Sequence, residues 1–291
     1  HINDSRVTMY NVDCRNEIEV ERIFEENKPE IVYHLAANAA ETKSHFAPRD
    51  IFTRNYNTFL NILISGIKNG MRRIIVTSSA AVYGGINPPF NERDIPEPED
   101  MYGIAKLTME KSLQILSKVH NFEYVIARPH NVYGPRQNMT DPYRNVVMLW
   151  MNPLLKGIPY TIYGDGSMKR CYTYVTDLVA GLYQMGVKNV SGEIFNIGAD
   201  EPCSLKELSD FLQEATEGNI PPLYLPKRPQ EVATVILDHT KAKEMLGYKT
   251  TVSFEEGIKR TWEWCKEQGP QELIYGNIEL PSDRIPKNWK I

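Results

Sequence analysis

A doubly wound parallel α/β sheet joined to a smaller, loop-rich α/β lobe is the fold that this sequence predicts. Through about the first 130 residues, short β-rich runs alternate with longer segments of helical period. Alternation of this kind builds a parallel sheet with right-handed crossovers. Two of the runs, Ile31-Val32-Tyr33-His34-Leu35 and Ile74-Ile75-Val76, are almost continuously apolar, as strands covered on both faces must be. From about Asn131 the regularity gives way to dense proline and glycine, in Gly134-Pro135, Gly157-Ile158-Pro159 and Gly164-Asp165-Gly166. Such punctuation breaks a chain into short elements.

Along the chain, strands are expected at 7–12, 31–35, 73–78, 124–127, 160–163 and 193–197, and helices at about 17–27, 48–69 and 100–120. In the second helix Phe52, Phe59, Leu60, Leu63 and Ile67 recur at helical spacing. A further strand and helix are expected within 176–197, and an amphipathic helix at 254–266. The sheet domain is accordingly assigned to 1–130, with 171–198 and about 253–266 returning to it. The lobe takes 131–170 and 199–252, and 267–291 reads as a polar, proline-containing tail wrapped on the surface.

The 291 residues carry 33 Lys+Arg against 37 Asp+Glu, a formal net charge of −4. That balance argues against a nucleic-acid-binding surface, which needs a basic excess. No apolar run approaches the roughly 18–20 residues of a membrane span, and no signal peptide is recognised at the start. Cys14, Cys171, Cys203 and Cys265 lie far apart in sequence, so neither a metal site nor a disulfide framework is expected. Reduced thiols and a cytoplasmic location are the expectation.

Three short segments carry candidate chemistry. In Tyr102-Gly-Ile-Ala-Lys106 the four-residue offset puts a phenol and an ammonium on one helix face. A cation beside a tyrosine favours the phenolate and makes a general base, although a packed tyrosine beside a solvated lysine has the same spacing. The run Ile74-Ile75-Val76-Thr77-Ser78-Ser79-Ala80-Ala81-Val82-Tyr83-Gly84 places hydroxyls at the carboxyl end of a strand. In a parallel sheet that end faces the ligand crevice. At Tyr33-His34-Leu35-Ala36-Ala37-Asn38 small residues follow another strand and let a ligand approach the backbone; His34 alone reads as a core histidine.

The order of these segments resembles that of the extended short-chain dehydrogenase/reductase superfamily, and most closely its nucleotide-sugar epimerases. The resemblance covers nearly the whole chain. It runs through Asp13, His34-Leu35-Ala36-Ala37, Asn55, the Ser78–Gly84 run, Tyr102/Lys106 and Arg128-Pro129-His130-Asn131-Val132-Tyr133-Gly134-Pro135. It continues through Thr161-Ile162-Tyr163-Gly164-Asp165-Gly166, Arg170, Phe195-Asn196-Ile197-Gly198 and Arg228-Pro229-Gln230-Glu231.

The resemblance implies a Rossmann-type sheet, NAD as cofactor and a UDP-sugar as substrate. Ser79, Tyr102 and Lys106 match the catalytic residues. Asp13, Cys14, Leu35, Ala36, Ala37, Asn55, Ser78, Pro129 and His130, together with Tyr102 and Lys106, match the cofactor side. Asn131, Asn145, Thr161, Tyr163, Arg170 and Arg228, with Ser79, match positions that hold the nucleotide sugar. Guanidinium groups suit a diphosphate because they grip it bidentately and stay charged. The implied reaction is 4-epimerisation through a 4-keto sugar, with Lys106 holding the Tyr102 pKa low. A homodimer pairing the helices at 48–69 and 100–120 is also implied.

Dehydratases of the family carry an Asp-Glu pair directly after the catalytic hydroxyl, where this chain has Ala80 and Ala81. That disfavours dehydration and leaves decarboxylation and a non-catalytic nucleotide-sugar binder as rivals. A position seven places after Arg228, here Val235, borders the sugar pocket in the family, and a small residue there predicts room for an N-acetyl group. The family's glycine-rich turn is absent from the given sequence, which opens at His1 with its first strand-like run matching the third strand of the family sheet. A chain lacking roughly 50–60 N-terminal residues is therefore expected, since the missing first strand would be central.

Overall fold

The computed structural model describes residues 4–218, 220–227, 234–286 and 289. In chain order the elements begin with α1 (Glu17–Asn27), β1 (Ile31–His34), α2 (Glu41–Ser44), α3 (Pro48–Lys68) and β2 (Arg73–Thr77). A single 3-10 turn (Ala80–Val82) leads to α4 (Met101–His120), β3 (Glu123–Pro129), β4 (Val132–Tyr133), α5 (Val146–Leu155), β5 (Thr161–Tyr163), β6 (Lys169–Cys171) and β7 (Thr173–Tyr174). The chain continues with α6 (Val175–Val187), β8 (Ile194–Ile197), β9 (Pro202–Ser204), α7 (Leu205–Ala215), β10 (Leu223–Leu225), β11 (Thr234–Val235), α8 (Thr240–Leu246) and α9 (Phe254–Gln268).

β1, β2, β3 and β8 form a parallel sheet in that spatial order. They lie where strands at 31–35, 73–78, 124–127 and 193–197 are expected. The apolar runs are explained by cover on both faces. Ile74, Val76 and Ile126 pack with Phe59 and Leu63 of α3 and Met109 and Leu113 of α4. Ile75, Val125 and Phe195 pack on the other face with Leu178, Leu182 and Met185 of α6 and Leu246 of α8. Alternate residues of one strand thus serve opposite cores.

The expected strand at 7–12 is not formed. The segment has no ladder partner among the described residues, and Val7 and Met9 are exposed. β-rich composition becomes a strand only where a neighbour accepts the backbone hydrogen bonds.

A second core joins α5, α7 and α9 with Tyr133, Tyr160 and Ile162. The 253–266 segment, read from sequence as returning to the sheet domain, forms α9. Its Ile258, Trp262 and Cys265 are buried in this second core with Met148 and Met151 of α5 and Leu208 and Leu212 of α7. β5 pairs with β10, apart from the main sheet.

The tail is more than a polar wrap: its Ile285 and Trp289 are buried against Phe46. The Glu279 carboxylate accepts the backbone N–H groups of Arg49 and Asp50, each at 2.9 Å. It thereby caps α3, which opens on Pro48 and has no cap of its own. Among the described residues no helix is long and apolar enough to cross a membrane.

Candidate active site

Ser79 lies two residues past the end of β2 and caps the following 3-10 turn, its Oγ accepting the Ala81 N–H at 3.1 Å. α4 begins close beside it. Asp100 caps α4 by accepting the Gly103 N–H at 2.8 Å, and a Cβ at Gly103 would meet the Ala81 carbonyl oxygen at 2.6 Å. Glycine at this position therefore allows the first turn of α4 to press against the Ser79–Ala81 backbone. Tyr102 is thereby brought near Ser79, whose hydroxyl acts to lower its pKa. One turn on, Lys106 donates from Nζ to the Thr77 carbonyl at 2.6 Å and stands 5.7 Å from the centre of the Tyr102 ring.

Burial controls the charge state of the pair. It pushes the Tyr102 phenol well above its ordinary value, with Glu41 adding to the rise and Ser79 and Arg144 opposing it. It pushes Lys106 down to about 7, against the pull of Glu110. The sequence expectation that Lys106 holds the phenol low is not met: the groups that lower it are Ser79 and Arg144. Each group is removed from water, so each is driven toward its neutral form. His34 is also kept neutral, at about 3, by burial and by the Lys106 charge.

Beneath the pair lies a buried network built on Glu110, which the sequence reading did not assign; it takes up Ser78 and Arg128, which that reading placed on the cofactor side. Glu110, one further turn along the Tyr102/Lys106 face, accepts two hydrogen bonds from Arg128 of β3, at 2.9 and 2.6 Å, with both side chains almost fully enclosed. Arg128 lies 4.7 Å over the Tyr83 ring, and Tyr83 donates to Asn196 of β8 at 2.7 Å. Ser78 turns inward and donates its hydroxyl to Glu110. This network ties α4 to the carboxyl ends of β2, β3 and β8. The i, i+4, i+8 spacing of Tyr102, Lys106 and Glu110 was the available sequence signal.

The other cofactor-side candidates are strung along the same end of the sheet. Leu35 and Ala36 are exposed beyond β1, and Ala37 is half-buried. Asn55 is fully buried and pins the next residue of that loop, accepting the Asn38 N–H and donating to its carbonyl, both at 3.1 Å. Pro129 closes β3. His130 follows it, buried and held neutral at about 3, its Nε2 3.1 Å from the Asn131 amide. Asp13 is half-exposed and paired with Arg15, which lowers its carboxyl to about 2. The Cys14 carbonyl accepts from Asn61 of α3 at 3.0 Å.

Asn131, Asn145, Thr161, Tyr163 and Arg170 all line one cavity of about 320 Å³. Asn145 also serves the fold: it caps α5 through Val147 N–H at 3.2 Å and donates to the Val132 carbonyl. Arg228 and Glu231 lie outside the described residues. Tyr143, on the cavity wall, also packs into the cluster that holds Tyr102, Ala40 and Ile51, so the cavity reaches toward the Ser79–Tyr102–Lys106 group. Thr42, Arg144, Leu273, Tyr275 and Trp289 complete walls that the sequence reading missed. The last three belong to the tail, whose sequence signal was only its aromatic content. Val235 is not on this wall. It pairs with Arg170 across β11 and β6 and packs toward Val82, Tyr83, Phe90 and Leu237. Val235 therefore does not border this cavity.

Residues 1–198 match the NAD dependent epimerase/dehydratase family. A UDP-glucose 4-epimerase of Mycolicibacterium smegmatis is 31% identical over 84% of this chain and 78% of its own length. A UDP-N-acetyl-alpha-D-glucosaminuronate decarboxylase of Bacillus cytotoxicus is 30% identical over 83% of this chain and 78% of its own. The crystal structure of a UDP-glucose 4-epimerase from Thermotoga maritima with UDP-glucose superposes with a TM-score of 0.86 at 35% identity, over 91% of this chain and 86% of that one. The parallel sheet wound on both faces, the residue order along it and the match over two thirds of the sequence lead to one assignment: this chain belongs to the NAD dependent epimerase/dehydratase family.

Proposed function

We propose that this protein is an NAD-dependent UDP-sugar 4-epimerase, acting on a hexose of the UDP-glucose/UDP-galactose type. The observation that carries this reading is the convergence of Ser79, Tyr102 and Lys106 beside a cavity bearing Arg170. NAD, when bound, supplies the hydride acceptor for sugar C4 and the donor for its return. The residues present suit it: small and exposed apolar groups at Leu35–Ala37 give a flat ring close access, and the Asp13 carboxylate is solvent-facing and ionised.

Tyr102 takes the 4-hydroxyl proton and later gives it back. Ser79 hydrogen-bonds the oxygen that becomes the ketone. Because burial holds the proton on Tyr102, the charged form of Lys106 and the neighbouring Ser79 hydroxyl favour its release. Arg170 holds the diphosphate while the sugar turns over and presents its other face. With UDP-glucose and NAD, the anomeric proton NMR signal of UDP-galactose is expected to appear. A 4-keto-6-deoxy sugar would mean dehydration instead.

Decarboxylation is the second reading, favoured by the Bacillus cytotoxicus relative. Ala80 and Ala81 beside Ser79 provide no acid or base for dehydration. We further propose a homodimer through α3 and α4, supported by exposed Ile64, Ile104, Ile115 and Val119 on those helices. Sedimentation should give twice the chain mass, and a monomer at micromolar concentration would contradict the pairing.

A further inference from the structure

The tail runs along the cavity on a path pinned at successive points. Gln271 exchanges two hydrogen bonds with the Asn152 side chain of α5, both at 2.9 Å, and the Ile274 N–H donates to the Thr140 carbonyl at 2.8 Å. The Gly276 N–H donates to the Tyr143 hydroxyl at 2.9 Å, and that hydroxyl donates to the Gly276 carbonyl at 3.2 Å. Glu279 and Leu280 then give their N–H groups to the Phe46 carbonyl, at 2.8 and 2.9 Å. The tail thus reaches from α5 of the second core to the start of α3.

Tyr143 is held from several sides on this path. Lys43 Nζ stands 5.3 Å from the centre of its ring, and Lys43 is itself buried and paired with Asp50 at 3.1 Å. Trp289 meets the Tyr143 ring nearly at right angles with centres 4.7 Å apart, and Tyr275 does so at 6.1 Å. Tyr143, Tyr275 and Trp289 all line the cavity, and Tyr143 also packs against Tyr102, Ala40 and Ile51. This aromatic corner is therefore a part of the wall that adjoins Tyr102. Anchoring the tail requires Ile285 and Trp289 against Phe46; it does not require three aromatic rings on the cavity wall.

We propose that this corner is the surface on which the hexose ring rests, with Trp289 and Tyr143 touching the sugar and the tail holding both in place. The inference rests on the reading of Tyr102 as the group that acts at sugar C4, and it names further residues for that same site. A pyranose carries C–H groups on its faces, and these pack on aromatic carbon with little directional demand. Such a wall suits a ring that must present each face in turn. Hydrogen bonds to one orientation would hold the sugar there, whereas an apolar corner accepts both. Because the corner adjoins Tyr102, its loss acts on the hexose and spares UDP.

The test is calorimetric binding of UDP-glucose and of UDP, each with NAD present, to the wild type, Trp289→Ala and Trp289→Phe. Thermal melts check that the variants are folded. Trp289→Ala is expected to weaken UDP-glucose at least about tenfold while UDP stays within about twofold, and Trp289→Phe to recover most of the loss. If Trp289→Ala does not fold, Trp289→Leu, which keeps apolar contact with Phe46 without a ring, is measured in its place with the same expectation. Unchanged binding of UDP-glucose, or equal weakening of UDP and UDP-glucose, overturns the inference. Turnover of UDP-glucose by the wild type is followed separately. Its absence beside the expected binding pattern overturns the epimerase reading and leaves the sugar wall standing, and failure of the wild type to bind UDP-glucose overturns both.

Discussion

Lys106→Met is expected to abolish turnover and at the same time to stabilise the fold. The wild-type ammonium is almost fully buried, and its pKa falls from 10.5 to about 7. At roughly 1.4 kcal/mol per unit, holding it charged costs up to about 5 kcal/mol at and below neutral pH. The sign follows from proton binding. Between pH 7 and 10.5 the unfolded chain keeps the proton that the folded chain releases, so the penalty is full below about 7 and fades as the pH rises. Methionine fills similar volume without charge and gives up the hydrogen bond to Thr77, worth about 1 kcal/mol. A net gain of about 2–4 kcal/mol at pH 7 is expected in urea melts, with the wild type catching up toward pH 10. Activity should fall at least about 100-fold. A variant less stable than the wild type at pH 7 would show that Lys106 serves the fold rather than the reaction.

Glu110→Ala should have the opposite effect on stability. It leaves Arg128 charged and enclosed, with Nη1 already unpartnered, and removes the acceptor of the Ser78 hydroxyl. Breaking one side of a buried pair costs about 3–5 kcal/mol. Glu110→Met combined with Arg128→Met should cost less than the sum of the single changes, because no stranded charge remains. A loss below about 1 kcal/mol for Glu110→Ala in urea melts would contradict the network as described.

The contrast between these two buried charges shows what sequence could and could not reveal. β1, β2, β3 and β8 were legible because continuous apolar runs belong to strands covered twice, and both covers were present as helical patterns. The run at 7–12 has the same composition but no partner beside it, and pairing is not encoded in a strand's own residues. Ser79, Tyr102 and Lys106 were legible as an ordered set. Their charge states were not, because desolvation is set by what α2, α4 and the strand ends jointly exclude from water. Val235 was placed by register alone, and the cluster around Tyr83 and Phe90 decided its surroundings. The tail's part in the cavity depends on contacts some 140 residues apart, such as Tyr143 with Gly276 and Trp289.

The central claim is that hydride leaves C4 of the sugar and returns to C4 of the same sugar with Tyr102 moving the proton. It is tested most directly with UDP-glucose deuterated at C4, incubated with the protein and NAD and read by NMR and mass spectrometry. UDP-galactose that retains the deuterium at C4 is expected, and no such product from Tyr102→Phe. Product that has lost the label to solvent, or Tyr102→Phe turning over as the wild type does, would contradict it.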